Sequence, residues 1–200
     1  MISAQHITAT LMVNPVLTVV LIVLFVAVMM GLNFRGRETA SRRRHRRYQA
    51  TAMRVLARLP LLGGDGQRLA YLRKINPYVF EELLLLALER QGLMVVRNAS
   101  YSGDGGTDGQ VIIDDECWLI QAKRYRRAIT PAHIRDFDQL LEQRTCSGFF
   151  IHTGRTGHMS RAVCSTSPRL FIISGQRLLD LLAGRHGWLS GCSYFQRKSV

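Results

Sequence analysis

Acidic residues are scarce in this 200-residue chain: 14 Asp and Glu stand against 27 Lys and Arg, a formal net charge of +13. So basic a chain is poorly suited to cationic partners, and polyanions such as nucleic acid or anionic lipid are its natural counterparts. Cysteines are few and dispersed. Cys117, Cys146, Cys164 and Cys192 form no C-x-x-C pair, which excludes a disulfide framework and a cysteine zinc site and leaves free thiols in a reducing compartment. Neither the Walker pattern nor G-x-G-x-x-G occurs, so nucleotide binding by a glycine loop has little support. Internal repeats and low-complexity tracts are also missing. With 47% hydrophobic residues, the length suffices for one ordinary core plus a short appendage, and a multidomain machine is excluded.

Charge is wholly absent between Leu11 and Leu32. As a helix these residues would be about 33 Å long, enough for a hydrocarbon core of about 30 Å. A cleaved secretory signal fits less well, because no Lys or Arg precedes the run and no small-residue cleavage site ends it. Residues 1–34 are therefore expected to be an N-terminal segment with one transmembrane helix over about 11–32. Arginines 35, 37, 42, 43, 44, 46 and 47 follow at once. By the positive-inside rule they place the C-terminal domain in the cytoplasm, on a single-pass inner-membrane protein whose arginines meet lipid headgroups or hold DNA nearby. Residues 35–68 read as a basic linker, helical from about Ala40 to Leu59 and broken by Pro60 and the glycines that follow.

From about 69 to 185 helical and strand patterns alternate, which predicts a compact α/β domain, with 186–200 as a tail. Asn76-Pro77 opens a helix in which Phe80, Leu83, Leu84, Ala87 and Leu88 form one apolar stripe. Glu81 borders that stripe, whereas Glu82 shares a side with Glu89 and is expected to face water. Leu93 to Asn98 reads as a strand, and a glycine-dense loop from Ser102 to Gly109 carries Asp104 and Asp108. Gln110–Asp114 and Cys117–Arg124 read as a hairpin with an Asp115-Glu116 turn. In that register Ile113 faces Trp118, Val111 faces Ile120, and Asp108 faces Lys123, so Asp108, Gln121 and Lys123 converge on one sheet face. A carboxylate, an amide oxygen and an ammonium at one edge suit phosphodiester hydrolysis. Asp108 would hold Mg²⁺ with help from Gln121, Lys123 would orient water and offset charge at phosphorus, and Glu81 would add a second carboxylate. The competing reading is an ordinary surface ion pair between Asp108 and Lys123.

Phe80-Glu81, the run Gly103 to Gly109, and Gln121-Ala122-Lys123-Arg124-Tyr125 together resemble the catalytic domain of Mrr-like restriction endonucleases, within the PD-(D/E)xK nuclease superfamily. Gly148–Thr153 and Leu170–Gly175 resemble its later strands. The resemblance implies a restriction-endonuclease-like α/β core: a central mixed β-sheet flanked by helices, here preceded by the transmembrane helix. It implies catalytic roles for Glu81, Asp108, Gln121 and Lys123, with Glu81, Asp108 and Gln121 as ligands of Mg²⁺ or Mn²⁺. Gln121 stands where the wider superfamily has an acid, which removes one negative charge from the site.

Arg124, Arg126 and Arg127 follow Lys123 closely and are candidates for the DNA backbone. Thr130-Pro131 starts a helix to about Gln143, with Ile134, Phe137, Leu140 and Leu141 as its stripe. His152 and His158 lack metal-ligand spacing and read as structural or surface residues. Gly175–Leu182 reads as a closing helix. The leading expectation is a membrane-anchored, metal-dependent DNA endonuclease, with a homodimer as the means of cutting both strands. A weakened nuclease fold that tethers DNA to the membrane is the alternative, and an assembly protein whose arginines only set topology is the third.

Overall fold

The computed structural model describes residues 15–36, 40–98 and 106–189. The chain divides into two compact units at Arg44/His45. In the first lies α1 (Pro15–Gly36), whose side chains from Val16 to Met30 carry no charge and are almost all exposed. The expected span ran from about Leu11, which lies outside the described residues, to Leu32. Among the described residues no helix is long and apolar enough to cross a membrane.

Helix α2 (Ala40–Arg58) carries the arginine run into the second unit, where its last turns change character: Ala52, Val55 and Leu56 are buried. The unit thus begins at His45, earlier than the sequence boundary at 69. After a 3₁₀ turn come α3 (Asp65–Leu72) and α4 (Pro77–Arg90). Asn76 caps α4 by accepting the Tyr78 N–H at 2.9 Å, and Pro77 fills the first helical position, where a missing N–H costs nothing. The expected stripe of Phe80, Leu83, Leu84, Ala87 and Leu88 is wholly buried. Each of its large members stabilises the fold by about 1.5–3 kcal/mol relative to exposure.

Strands β1 (Met94–Val96), β2 (Gly109–Ile113), β3 (Glu116–Lys123), β4 (Ser147–His152) and β5 (Leu170–Ser174) form one mixed sheet in chain order. The β1–β2–β3 pairs are antiparallel, while β3–β4–β5 are parallel and connected by α5 (Pro131–Arg144) and α6 (His158–Thr166). Trp118, Ile120, Ala122, Phe149 and Ile151 face a core shared with α2, α4 and the closing helix α7 (Gln176–Leu182). Leu119 and Phe150 face the opposite way, toward Ile134, Phe137 and Leu141 of α5. A sheet covered on both faces explains why β3 and β4 are nearly continuous in apolar residues. Gly148 lets α5 seat tightly, since a Cβ there would lie 2.6 Å from Leu141 and 2.9 Å from the Leu119 carbonyl. The tail begins with structure of its own: Trp188 is buried, and its indole N–H donates to Gln91 Oε1 at 2.8 Å.

The hairpin register differs from expectation. Its turn is Asp114-Asp115, with φ of 51° and 64°, and Ile113 pairs with Glu116, Val111 with Trp118 and Gly109 with Ile120. Two successive left-handed residues match the right-handed twist of the strands, and aspartate tolerates that region better than most residues. The shift is two residues, so every side chain keeps its face while its partner changes.

Candidate active site

The site forms where β2 begins and β3 ends. With Gly109 opposite Ile120, one further step puts Asp108 beside Gln121, not opposite Lys123 as expected. Asp108 is held twice by β3: its main-chain N–H donates to the Ile120 carbonyl at 2.8 Å, and its Oδ2 accepts the Ala122 N–H at 2.6 Å. Gln121 and Lys123 project from the same face of β3, two residues apart, and line a cavity of about 430 Å³ with residues of α5. Gln121 donates its amide to the Gly106 carbonyl at 2.8 Å, so its side-chain oxygen is the atom left for another ligand.

Glu81 approaches from α4 and shares a narrow pocket with Asp108. Its carboxyl is pushed up to about 8, first by burial, then by the Asp108 and Glu82 carboxylates, against the pull of Lys123 and Arg124. Asp108 is also raised, by burial foremost, and restrained by the Ala122 N–H and Lys123. The structure therefore brings Glu81, Asp108 and Lys123 within electrostatic reach of one another, with Gln121 next to Asp108. Two desolvated carboxylates, one raised by the charge of the other, fit a divalent cation, and Mg²⁺ is commonly held by one or two carboxylates plus water and substrate phosphate. Among the described residues no group of three or more His, Cys, Asp or Glu could hold a metal.

The sequence reading of Glu82 is corrected. Far from facing water, Glu82 is 1% exposed. Arg97, just after β1, donates to it at 3.0 Å, and His45 of α2 lies 3.1 Å from its other oxygen. Arg97 also grips Glu89 through both terminal nitrogens, which holds the Glu89 carboxyl below its ordinary range. Partners arriving from outside the helix cannot be inferred from helical spacing.

The three arginines also separate. Arg126 and Arg127 are exposed. Arg124 is half-buried, donates to the Arg73 carbonyl at 3.3 Å and lowers the Glu81 carboxyl, so it belongs to the interior edge of the site. His152 is fully buried, and burial pushes its imidazole down to about 4. Asp104 and Gly103 lie outside the described residues, as does Cys192; Cys117, Cys146 and Cys164 are free thiols.

Sequence reasoning missed His133, which lines the same cavity as Gln121 and Lys123. Its Nδ1 lies 2.8 Å from Tyr125 Oη and 2.9 Å from Thr130 Oγ1, and its ring stacks on Tyr125. The signal was present: Thr130-Pro131 fixes a helix start, and a residue three positions past the cap lies within reach of the cap hydroxyl.

Residues 72–182 match the restriction endonuclease family Mrr_cat. The fold search matched the MspJI restriction endonuclease in complex with a 27-mer oligonucleotide, at 19% identity and a TM-score of 0.49. That match covers 66% of this chain and 34% of that one, so the chain corresponds to about a third of MspJI. No curated protein matches it. With more than half of its length inside the matched segment, a mixed sheet flanked by helices, and Asp108, Gln121 and Lys123 gathered at one strand end, the chain belongs to the Mrr_cat restriction endonuclease family.

Proposed function

We propose that this protein is a divalent-metal-dependent DNA endonuclease that hydrolyses phosphodiester bonds at the Glu81–Asp108–Gln121–Lys123 edge. The observation that carries the reading is the pairing of two charge-starved carboxylates, Glu81 and Asp108, with the Lys123 ammonium at a strand end that opens into a cavity. Bound there, Mg²⁺ or Mn²⁺ would act as a Lewis acid on the phosphate. Asp108, Glu81 and the Gln121 oxygen would hold it. Lys123 binds a phosphate oxygen, offsets the charge that grows at phosphorus and orients the attacking water. The net charge of +13 supports DNA as partner, through contacts from Arg126 and Arg127 to the backbone.

Lipid attachment belongs to the same proposal. Helix α1 shows Val16, Ile22 and Phe25 at 70, 57 and 66% exposure, an apolar surface that water does not tolerate uncovered. The arginines that follow support a cytoplasmic nuclease at the inner membrane. Flotation of the full chain with anionic vesicles tests this, and a chain that stays at the bottom of the gradient refutes it. A homodimer would supply one site per strand.

Nicking of supercoiled plasmid by the full chain, with Mg²⁺ or Mn²⁺ and with EDTA, tests the catalytic reading beside Asp108→Ala and Lys123→Ala. Metal-dependent nicking lost in both variants supports it; equal behaviour of all three proteins sinks it. The second reading, a DNA tether without cleavage, is favoured by one observation: Gln121 leaves the site one carboxylate short. Salt-sensitive DNA binding by wild type with no nicking in any metal would select it.

A further inference from the structure

A second cavity, of about 530 Å³, lies along the outer edge of β5, away from Glu81 and Asp108. Its lining contains Arg161 of α6, Arg177 of α7 and the hydroxyls of Thr156, Ser165, Ser167 and Ser174, and no acidic residue. Among the described residues, neither guanidinium makes a hydrogen bond or ion pair. Two acids stand next to the lining and are engaged by it: Asp138 accepts from Ser167 at 2.5 Å, and Asp180 accepts from Gln176 at 3.0 Å and pairs with Arg185. Two uncompensated guanidinium groups facing a hydroxyl-lined hollow are the chemistry of an oxyanion site, since arginine matches phosphate through its planar fork of donors.

The cavity is tied to the catalytic edge by the sheet. Lys123 pairs with His152, and His152 pairs with Ser174, so the ends of β3, β4 and β5 stand level. A side-chain chain runs the same way: His152 Nε2 lies 3.1 Å from Thr156 Oγ1, which lies 3.0 Å from Ser174 Oγ on the cavity wall. At about 4.8 Å between strands, Ser174 sits about 10 Å from Lys123. That is a step of about one to two phosphates along one DNA strand, because the backbone winds around the axis and successive phosphates stand farther apart than the axial rise of about 3.4 Å. An added β-strand is a poor alternative occupant, because Cys164 already caps part of this edge. Its Sγ donates to the Leu170 carbonyl at 3.3 Å, and the Ile172 N–H reaches the same sulfur.

Resting on the nuclease reading above, we infer that the Arg161–Arg177 cavity binds a backbone phosphate of the DNA strand whose phosphodiester lies at Lys123, about one to two nucleotides from the bond to be cut. It sets the register of the strand and does not take part in the chemistry.

The test uses the full chain, wild type beside Arg161→Ala/Arg177→Ala, with Arg161→Lys/Arg177→Lys as the charge-preserving control and melting temperature as the check on folding. Binding of a 25-base-pair duplex is followed by fluorescence anisotropy over a series of salt concentrations without divalent metal. The alanine pair should bind at least 10-fold more weakly, with a log–log salt slope shallower by about 1 to 2, while the lysine pair stays near wild type. Unchanged affinity and slope in an alanine pair that folds normally overturn the inference; plasmid nicking by wild type in the same preparation shows that the nuclease reading survives this loss. Wild type that neither binds nor nicks DNA overturns both. Inorganic phosphate or ATP that raises the melting temperature of wild type but not of the alanine pair, with the DNA slope unchanged, assigns the cavity to a free phosphate compound and overturns the DNA assignment. If the alanine pair does not fold, the single variants Arg161→Ala and Arg177→Ala decide, each expected to lower the slope by about 1.

Discussion

Glu81 and Glu82 are adjacent in sequence and opposite in circumstance. Glu82 is the more deeply buried, yet it is satisfied: the Arg97 guanidinium supplies the opposite charge and a hydrogen bond, and His45 stands 3.1 Å from its other oxygen. Glu81 is less buried and has no guanidinium clamp: burial first, then Asp108 and Glu82, raise its carboxyl, and Lys123 and Arg124 oppose. The first cluster is complete without anything from outside. The second is not, and an incomplete electrostatic balance in a pocket is what marks it as the candidate site.

The largest effect expected from breaking this contrast is on catalysis. Asp108→Ala or Lys123→Ala should lower the nicking rate by about 10³-fold, about 4 kcal/mol of barrier, with little change in melting temperature. Next, Glu82→Ala should leave Arg97 without one partner and unfold about 3 kcal/mol more easily in urea, the loss appearing in stability and not in the metal dependence of nicking. Glu81→Gln should do the reverse. In folded protein Glu81 keeps its proton up to about pH 8, whereas an ordinary glutamate releases it near 4.5. Stability from this group is therefore complete below pH 4.5 and is lost as pH rises to about 8. In EDTA the variant should match wild type at pH 4.5 and gain on it up to pH 8, by about 2 kcal/mol once the solvent that still reaches the carboxyl is allowed for. Flat behaviour of both proteins across that range would remove the basis for treating the two glutamates differently. The smallest effect belongs to Gln121→Ala, which loses the hydrogen bond to the Gly106 carbonyl and about 1 kcal/mol of stability by thermal melting.

What the sequence made legible follows from local physics. The α4 stripe, its Asn76-Pro77 start and the closing helix depend on spacing within one element, and each was found near its place; the strands expected from the family resemblance at 148–153 and 170–175 lie at 147–152 and 170–174. The hairpin was legible as a hairpin, but its register turned on which two residues take positive φ. Asp114-Asp115 does, where Asp115-Glu116 was expected, because a second aspartate tolerates the left-handed region better than glutamate. Since the error was an even number of residues, the gathering of Asp108, Gln121 and Lys123 was still anticipated. Glu82 was not legible, because it takes its partners from α2 and the end of β1; of His133 the sequence carried the place three residues past the Thr130 cap, but not the contact with Tyr125 across the chain reversal after β3.

The order of the sheet has a consequence for how the molecule is made. Each strand lies beside the one synthesised just before it, so the sheet can grow by accretion at a single edge as the chain leaves the ribosome, with no later strand forced between two earlier ones. The strand that bears Lys123 acquires its second neighbour only when β4 emerges, and Trp188 locks onto Gln91 last of all. A nascent chain stalled before β4 would thus hold the three antiparallel strands β1–β3 but leave the Lys123 edge without the parallel half of the sheet that flanks it.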